Sequence, residues 1–209
     1  PGFVDGSSRF SEDREWMPGV VMMAKQTYVW MAQLSVQYGR AINRLDEIPD
    51  EELDRLARQG FNGLWLIGLW ERSDASRQIK VRRGNPEAAA SAYSLKDYAI
   101  AERLGGAHAL DGLRARAAQR GLRLAADMVP NHMGMDSGWM VHHPERFLQL
   151  DRPPYPSYRF NGPNVSGDDR IEIYLEDGYW DQTDAAVVFK SVHRDTGSVR
   201  YVYHGNDGT

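Results

Sequence analysis

Leu64-Trp65-Leu66-Ile67-Gly68-Leu69-Trp70, residues 64–70, is an apolar run that does not alternate. A continuous run of this kind, bounded by turn residues, suits a strand buried on both faces, as in a parallel sheet. The phrase recurs as Leu122-Arg123-Leu124-Ala125-Ala126-Asp127-Met128-Val129. A helical signature precedes each copy. Residues 50–59, DEELDRLARQ, open with acid and space Leu53, Leu56 and Ala57 along one face, with Gly60 as the stop. Residues 107–120 carry Leu110, Leu113 and Ala117 at helical spacing and end at Gly121. Upstream, residues 25–38, KQTYVWMAQLSVQY, have the β-rich composition of a strand with its exit loop. The order strand, helix, strand, helix, strand predicts an α/β fold with a parallel sheet and helices outside.

The flanks read differently. Residues 1–24 mix Gly, Pro, Ser and charge without a period, and are expected to form an N-terminal arm. The cluster Arg72, Arg77, Lys80, Arg82 and Arg83 lacks interleaved aromatics and reads as a solvated loop. Residues 133–166 are rich in Pro, Gly, His and aromatics. Ile171 to Leu175 then alternates, and Asp177-Gly178 offers a turn before Tyr179-Trp180. Ala186 to Val192 and Ser198 to Tyr203 flank Asp195-Thr196-Gly197, which predicts an antiparallel hairpin. Residues 133–209 are therefore read as a β-rich excursion leaving the third strand.

Composition narrows the function. Twenty-five basic against twenty-nine acidic residues give a net charge of −4, which argues against nucleic acid as a partner. No apolar run reaches the length of a membrane span. The absence of cysteine removes disulfides, thiolate metal sites and thiol nucleophiles, and fits a reducing compartment such as the cytoplasm. No signal-peptide pattern follows Pro1.

In a βα-repeat protein, functional residues gather at the C-terminal ends of the parallel strands. Two segments qualify: Asp127-Met128-Val129-Pro130-Asn131-His132, and the long loop after the second strand with Tyr93-Ser94-Leu95-Lys96-Asp97-Tyr98. Asp127 lies in an apolar run, so its burial requires a cationic or hydrogen-bonding partner. Pro130 removes a backbone donor and ends the strand. By themselves, Asp127 and His132 fit a structural anchor and an interior histidine at least as well as a cleft. A metal site built from Asp127, His132, His142 and His143 is a further reading, although the spacing matches no recurring zinc pattern.

The order D-x-V-x-N-H at the end of a third strand, here Asp127, Val129, Asn131 and His132, resembles a hallmark of the α-amylase family of glycoside hydrolases. Tyr93, Asp97 and Tyr98 resemble that family's Y-x-x-x-D-Y block. The resemblance implies a partial (β/α)8 TIM barrel over residues 25–132, supplying its first three βα units, and a β-rich domain B over residues 133–209. It also implies site roles. Tyr93 resembles the tyrosine that stacks on the sugar beside the scissile bond, and His132 the histidine that hydrogen-bonds that sugar. Asp127 resembles the buried aspartate that holds an arginine near the nucleophile, with Asp97 as further support. Asn131 resembles a calcium-ligand position, with Asp168 and Asp169 as candidate further oxygens. No cofactor is otherwise required.

The same resemblance implies what residues 1–209 do not carry. Retaining glycosidases need two carboxylates flanking the bond. The family takes them from later strands, and a complete barrel needs roughly 250 residues. The chain is therefore expected to be the N-terminal part of an enzyme acting on α-glucan or oligosaccharide. It would supply substrate-binding residues, lack the catalytic acids, be inactive alone, and be poorly soluble or marginally stable. The alternative is a non-catalytic amylase-like protein used for sugar binding or assembly.

Overall fold

The computed structural model describes residues 13–183 and 187–205. Half of the expected arm, residues 1–12, and Ala186 at the expected start of the hairpin lie outside the described residues. After a helical turn at Asp13–Trp16, the chain runs β1 (Met22–Gln26), α1 (Thr27–Tyr38), α2 (Asp50–Arg58), β2 (Gly63–Ile67), β3 (Trp70–Arg72) and α3 (Asp74–Arg82). It continues with β4 (Leu95–Ile100), α4 (Gly106–Ala118), β5 (Arg123–Ala126), α5 (Gly138–His142) and β6 (Gln149–Leu150). The last elements are β7 (Ile171–Leu175), α6 (Asp177–Asp181), β8 (Val188–His193) and β9 (Val199–Tyr203). Contacts divide the chain into two units, residues 1–68 with 103–127 and residues 69–102 with 128–209. These units cross the sequence-based divisions at 24/25 and 132/133.

The first unit is the parallel α/β part. Its three strands lie in the order β1-β2-β5, and both pairings are parallel. Two sequence readings need correction here. Residues 25–38 are a helix from Thr27 onward, and the strand ahead of it starts at Met22, inside the expected arm. Aromatic and β-branched composition suggested a strand, but the buried residues Thr27, Trp30, Met31 and Leu34 follow helical spacing. The Gln26 side chain caps the helix by accepting from the Val29 amide, and Gly39, at φ 63°, closes it. The run at 64–70 is also not one strand. Gly68, at φ 81°, ends β2, and Trp70 starts a separate strand. Leu64 and Leu66 are fully buried as expected, but the Trp65 side chain is 36% exposed.

Helices α2 and α4 form where the periodicity placed them. Leu53 and Leu56 of α2 and Ala109, Leu113 and Ala117 of α4 are buried. Guanidinium groups on α4 and just beyond it reach back to acidic residues of α2. Arg116 Nη1 bonds Asp50 at 2.8 Å, and Arg120 Nε bonds Asp54 at 2.6 Å. The Arg116 hydrogen bond, reinforced by Arg120, lowers the Asp50 carboxyl below its ordinary pKa.

The second unit holds an antiparallel pair, β3-β4, and a four-stranded antiparallel sheet in the order β6-β9-β8-β7. The predicted hairpin is β8-β9, with Gly197 at φ 65° in its turn. Alternation along β7 buries Ile171, Ile173 and Leu175 against Phe189 and Val202, and Ala75 and Ile79 of α3 join that core. Three local readings change. The basic cluster at 72–83 lies mainly on helix α3, which Ser73 caps by accepting from the Ser76 amide. Asp177-Gly178 opens helix α6 rather than a turn between strands. The long loop expected around Tyr93–Tyr98 is largely strand β4, paired with β3.

Candidate functional site

Within the first unit, Asp127 lies one residue beyond β5 and is 7% exposed. Its Oδ1 accepts from Trp65 Nε1 at 2.8 Å, and its Oδ2 accepts from the Gly68 amide at 2.8 Å. Both donors come from β2 or its end. The carboxylate therefore fastens the ends of β2 and β5 together, and its burial is compensated by hydrogen bonds as the sequence required.

Tyr93, Asp97, Asn131 and His132 all belong to the second unit. The Tyr93 side chain is 42% exposed. Its backbone carbonyl accepts from His132 Nε2 at 3.0 Å, and Asn131 Nδ2 donates to His132 Nδ1 at 3.2 Å. A carbonyl only accepts, so Nε2 carries the proton and Nδ1 is the acceptor. The imidazole is thus fixed in one tautomer, with both nitrogens engaged by protein groups. Asp97 is exposed, and its Oδ1 accepts from the adjacent Tyr98 amide at 2.7 Å.

The segment carrying Asn131 and His132 is anchored by residues that sequence reasoning did not single out as functional. The Tyr98 phenol donates to the Val129 carbonyl at 2.8 Å and accepts from the Val129 amide at 2.9 Å. Trp70 packs edge-on against the Tyr98 ring, with centroids 5.2 Å apart. Leu95, Val129 and Met133 complete this small core. The Gly134 amide donates to the Leu95 carbonyl at 2.6 Å. A Cβ at position 134 would lie 2.5 Å from Ser73 Cβ and 2.7 Å from the Leu95 carbonyl oxygen, so only glycine fits.

Two residues further on, Asp136 is fully buried. Its Oδ1 accepts from Ser73 Oγ, and its Oδ2 accepts from the amides of Ala75 and Gly167 at 2.9 and 3.0 Å. An acidic residue among small residues and buried methionines was the only local signal for it.

The three histidines of the metal reading each meet a separate protein partner. His132 is engaged as above, His142 Nε2 meets Arg170, and His143 Nδ1 meets Glu145. Among the described residues, no three His, Asp or Glu side chains gather as metal ligands. Asp168 is clasped by Arg170 Nε and Nη2 at 2.9 and 2.6 Å, and this hydrogen-bonded guanidinium lowers its carboxyl to about 2. Among the described residues, no helix is long and apolar enough to cross a membrane.

Comparison with known proteins places the chain. The family described as alpha amylase, catalytic domain, matches residues 45–181. The chain belongs to this α-amylase family, whose members are glycoside hydrolases of carbohydrate metabolism. Similar solved structures include an isomaltulose synthase variant from Erwinia rhapontici NX5 bound to sucrose, at 20% identity and TM-score 0.48. That match covers 79% of this chain and 25% of the other. A trehalose-6-phosphate hydrolase from Bacillus licheniformis matches at 17% identity and TM-score 0.45, over 78% of this chain and 24% of the other. An α-amylase from Lactobacillus plantarum matches at 24% identity and TM-score 0.41, over 50% and 23%. The chain thus spans about a quarter of the length of these proteins. A search of curated protein sequences finds no match.

Proposed function

We propose that residues 22–132, from the start of β1, are the first three βα units of a (β/α)8 barrel, and that residues 133–209 belong to its domain B. In the whole protein these units form the sugar-binding side of a retaining glycoside hydrolase or transglycosylase acting on α-glucans or maltooligosaccharides. The observation that carries this reading is the bond from His132 Nε2 to the Tyr93 carbonyl, which brings a half-exposed tyrosine and the N-H histidine together.

Tyr93 offers a ring face on which the apolar side of a pyranose stacks. His132 orients that sugar by hydrogen bonding, one of its nitrogens exchanging a protein partner for a sugar hydroxyl. Asn131 holds the histidine tautomer. Asp127 braces the strand ends, and Asp97 steadies Tyr98 through its amide.

The nucleophile and the acid/base come from strands outside residues 1–209, about 5 Å apart as a retaining mechanism demands. That chemistry consumes one water or acceptor sugar and requires no cofactor. The supporting features are the family membership and the Asp127–His132 and Tyr93–Tyr98 motifs.

Assay of the whole protein on maltoheptaose and p-nitrophenyl α-glucoside tests the reading. Turnover with retention of anomeric configuration supports it. A protein that carries both carboxylates yet turns over no α-glucoside overturns it, and binding of maltoheptaose without those carboxylates selects the non-catalytic alternative.

A further inference from the structure

Asp136 is a buried charge to which the sugar-binding reading gives no role. Its side chain is fully buried. All three of its donors are neutral: the Ser73 hydroxyl on Oδ1, and the amides of Ala75 and Gly167 on Oδ2 at 2.9 and 3.0 Å. A carboxylate taken out of water needs each of these bonds, and the loss of one leaves charge uncompensated. Ser73 and Ala75 are therefore held firmly to it. Ser73 is the cap of α3 and Ala75 lies in its first turn.

From that point hydrogen bonds run to Tyr93. The Ser73 amide donates to the Ser94 carbonyl at 2.8 Å. The Ser73 hydroxyl oxygen accepts from the Ser76 amide, the Ser76 oxygen from the Ser91 amide, and the Ser91 oxygen from the Tyr93 amide, each at 3.2 Å. Residues 91–94 thus hang on the first turn of α3. The Tyr93 carbonyl then accepts from His132 Nε2 at 3.0 Å, and His132 lies four residues before Asp136. The residues between them are pinned as well. The Gly134 amide donates to the Leu95 carbonyl at 2.6 Å, and Ser73 leaves no room for a Cβ at 134. The connections form a ring that leaves Asp136 through Ser73 and returns through His132. Charge-assisted bonds are the strong ones, and here they sit at Asp136.

We propose that Asp136 is a positioning residue for the Tyr93–His132 pair. By fixing the start of α3 against residues 132–136, its carboxylate sets the Tyr93 carbonyl opposite His132 Nε2. That carbonyl only accepts, so the ring proton stays on Nε2. When the setting is lost, the proton moves to Nδ1 in part of the molecules, and the Tyr93 ring loses its place beside the histidine. The effect on sugar binding rests on the sugar-binding reading of the pair. The effect on the tautomer does not.

NMR of the whole protein labelled with 15N-histidine, together with calorimetric titration with maltoheptaose, tests it. Wild type is expected to hold His132 as a single tautomer protonated at Nε2. Asp136→Asn keeps the volume but turns an NH2 group toward either Ser73 or the two amides. It should show mixed tautomers at His132 and bind maltoheptaose about tenfold more weakly. Ile173→Val loosens the buried core of the same unit and should leave the His132 signal as in wild type, which separates positioning from a general loss of stability. Should Asp136→Asn fail to fold, Ser73→Ala cuts the same link from the other side and should give the same mixed signal. An unchanged His132 tautomer in the Asp136 variant, or in the Ser73 variant standing in for it, overturns the assignment, and so does an equal change in Ile173→Val. A changed tautomer in a protein whose wild type binds no maltoheptaose supports the positioning and overturns the sugar reading instead.

Discussion

The phenol of Tyr98 satisfies both backbone polar groups of Val129, thirty-one residues away in sequence: it donates to the carbonyl and accepts from the amide. One side chain thereby fixes the backbone that leads into Asn131 and His132. Tyr98→Phe keeps the ring packing on Trp70 but leaves both Val129 groups without that partner. The expected loss is roughly 1–3 kcal/mol, read as a lower urea midpoint at unchanged m-value. A variant as stable as wild type would show that water replaces the phenol at no cost.

Tyr93 is a different case, because its exposed ring contributes little to folding. Tyr93→Ala should change stability by less than about 0.5 kcal/mol. It should weaken maltooligosaccharide binding by about tenfold, whereas Tyr93→Phe, which keeps the ring, should bind nearly normally. Titration calorimetry with maltoheptaose distinguishes the two. Equal affinity in Tyr93→Ala and wild type removes the stacking role.

Asp127→Asn preserves shape and removes charge. The amide group offers one oxygen where the carboxylate offered two, so either the Trp65 indole or the Gly68 amide faces an NH2 group. The expected cost is about 1–3 kcal/mol. Thermal unfolding followed by tryptophan fluorescence reports it, since the Trp65 indole is itself the donor.

Acid should act visibly at Asp168, whose carboxyl Arg170 holds at about 2. A carboxyl depressed in the folded state stabilises the protein at pH values above the unfolded pKa of about 4. That contribution is lost progressively as the pH falls from about 4 toward 2. Arg170→Ala should return Asp168 to titration near pH 4, seen in the carboxyl carbon shifts of an NMR titration. An unmoved Asp168 titration would assign its acidity to the backbone instead.

Elements whose signal is local were readable from sequence. Strands β2 and β5 show as apolar runs, α2 and α4 as periodic faces with glycine stops, and the β8-β9 hairpin as two strands about Asp195-Thr196-Gly197. Helix α1 was obscured because Tyr28, Val29 and Trp30 weigh a composition count toward strand, while its burial period rests on only four residues, Thr27, Trp30, Met31 and Leu34. Helix α3 was obscured by charge, although the Ser73 cap and the Ala75–Ile79 pair were present. The candidate site was read from the sequence only as a set of residue types. Its scaffolding was not, because Tyr98 to Val129, His132 to Tyr93 and Asp136 to Ser73 each join segments at least thirty residues apart. No periodicity records such contacts.

Asp136 draws its three donors from Ser73, Ala75 and Gly167, which lie sixty-three and sixty-one residues before it and thirty-one after it. During synthesis, its charge therefore cannot be fully compensated until Gly167 has left the ribosome. Burial of residues 133–141 against α3 must wait for that moment, so this unit should consolidate in one late step of high contact order. A nascent chain arrested before Gly167 would hold an exposed, methionine-rich segment, which is the kind of surface chaperones bind.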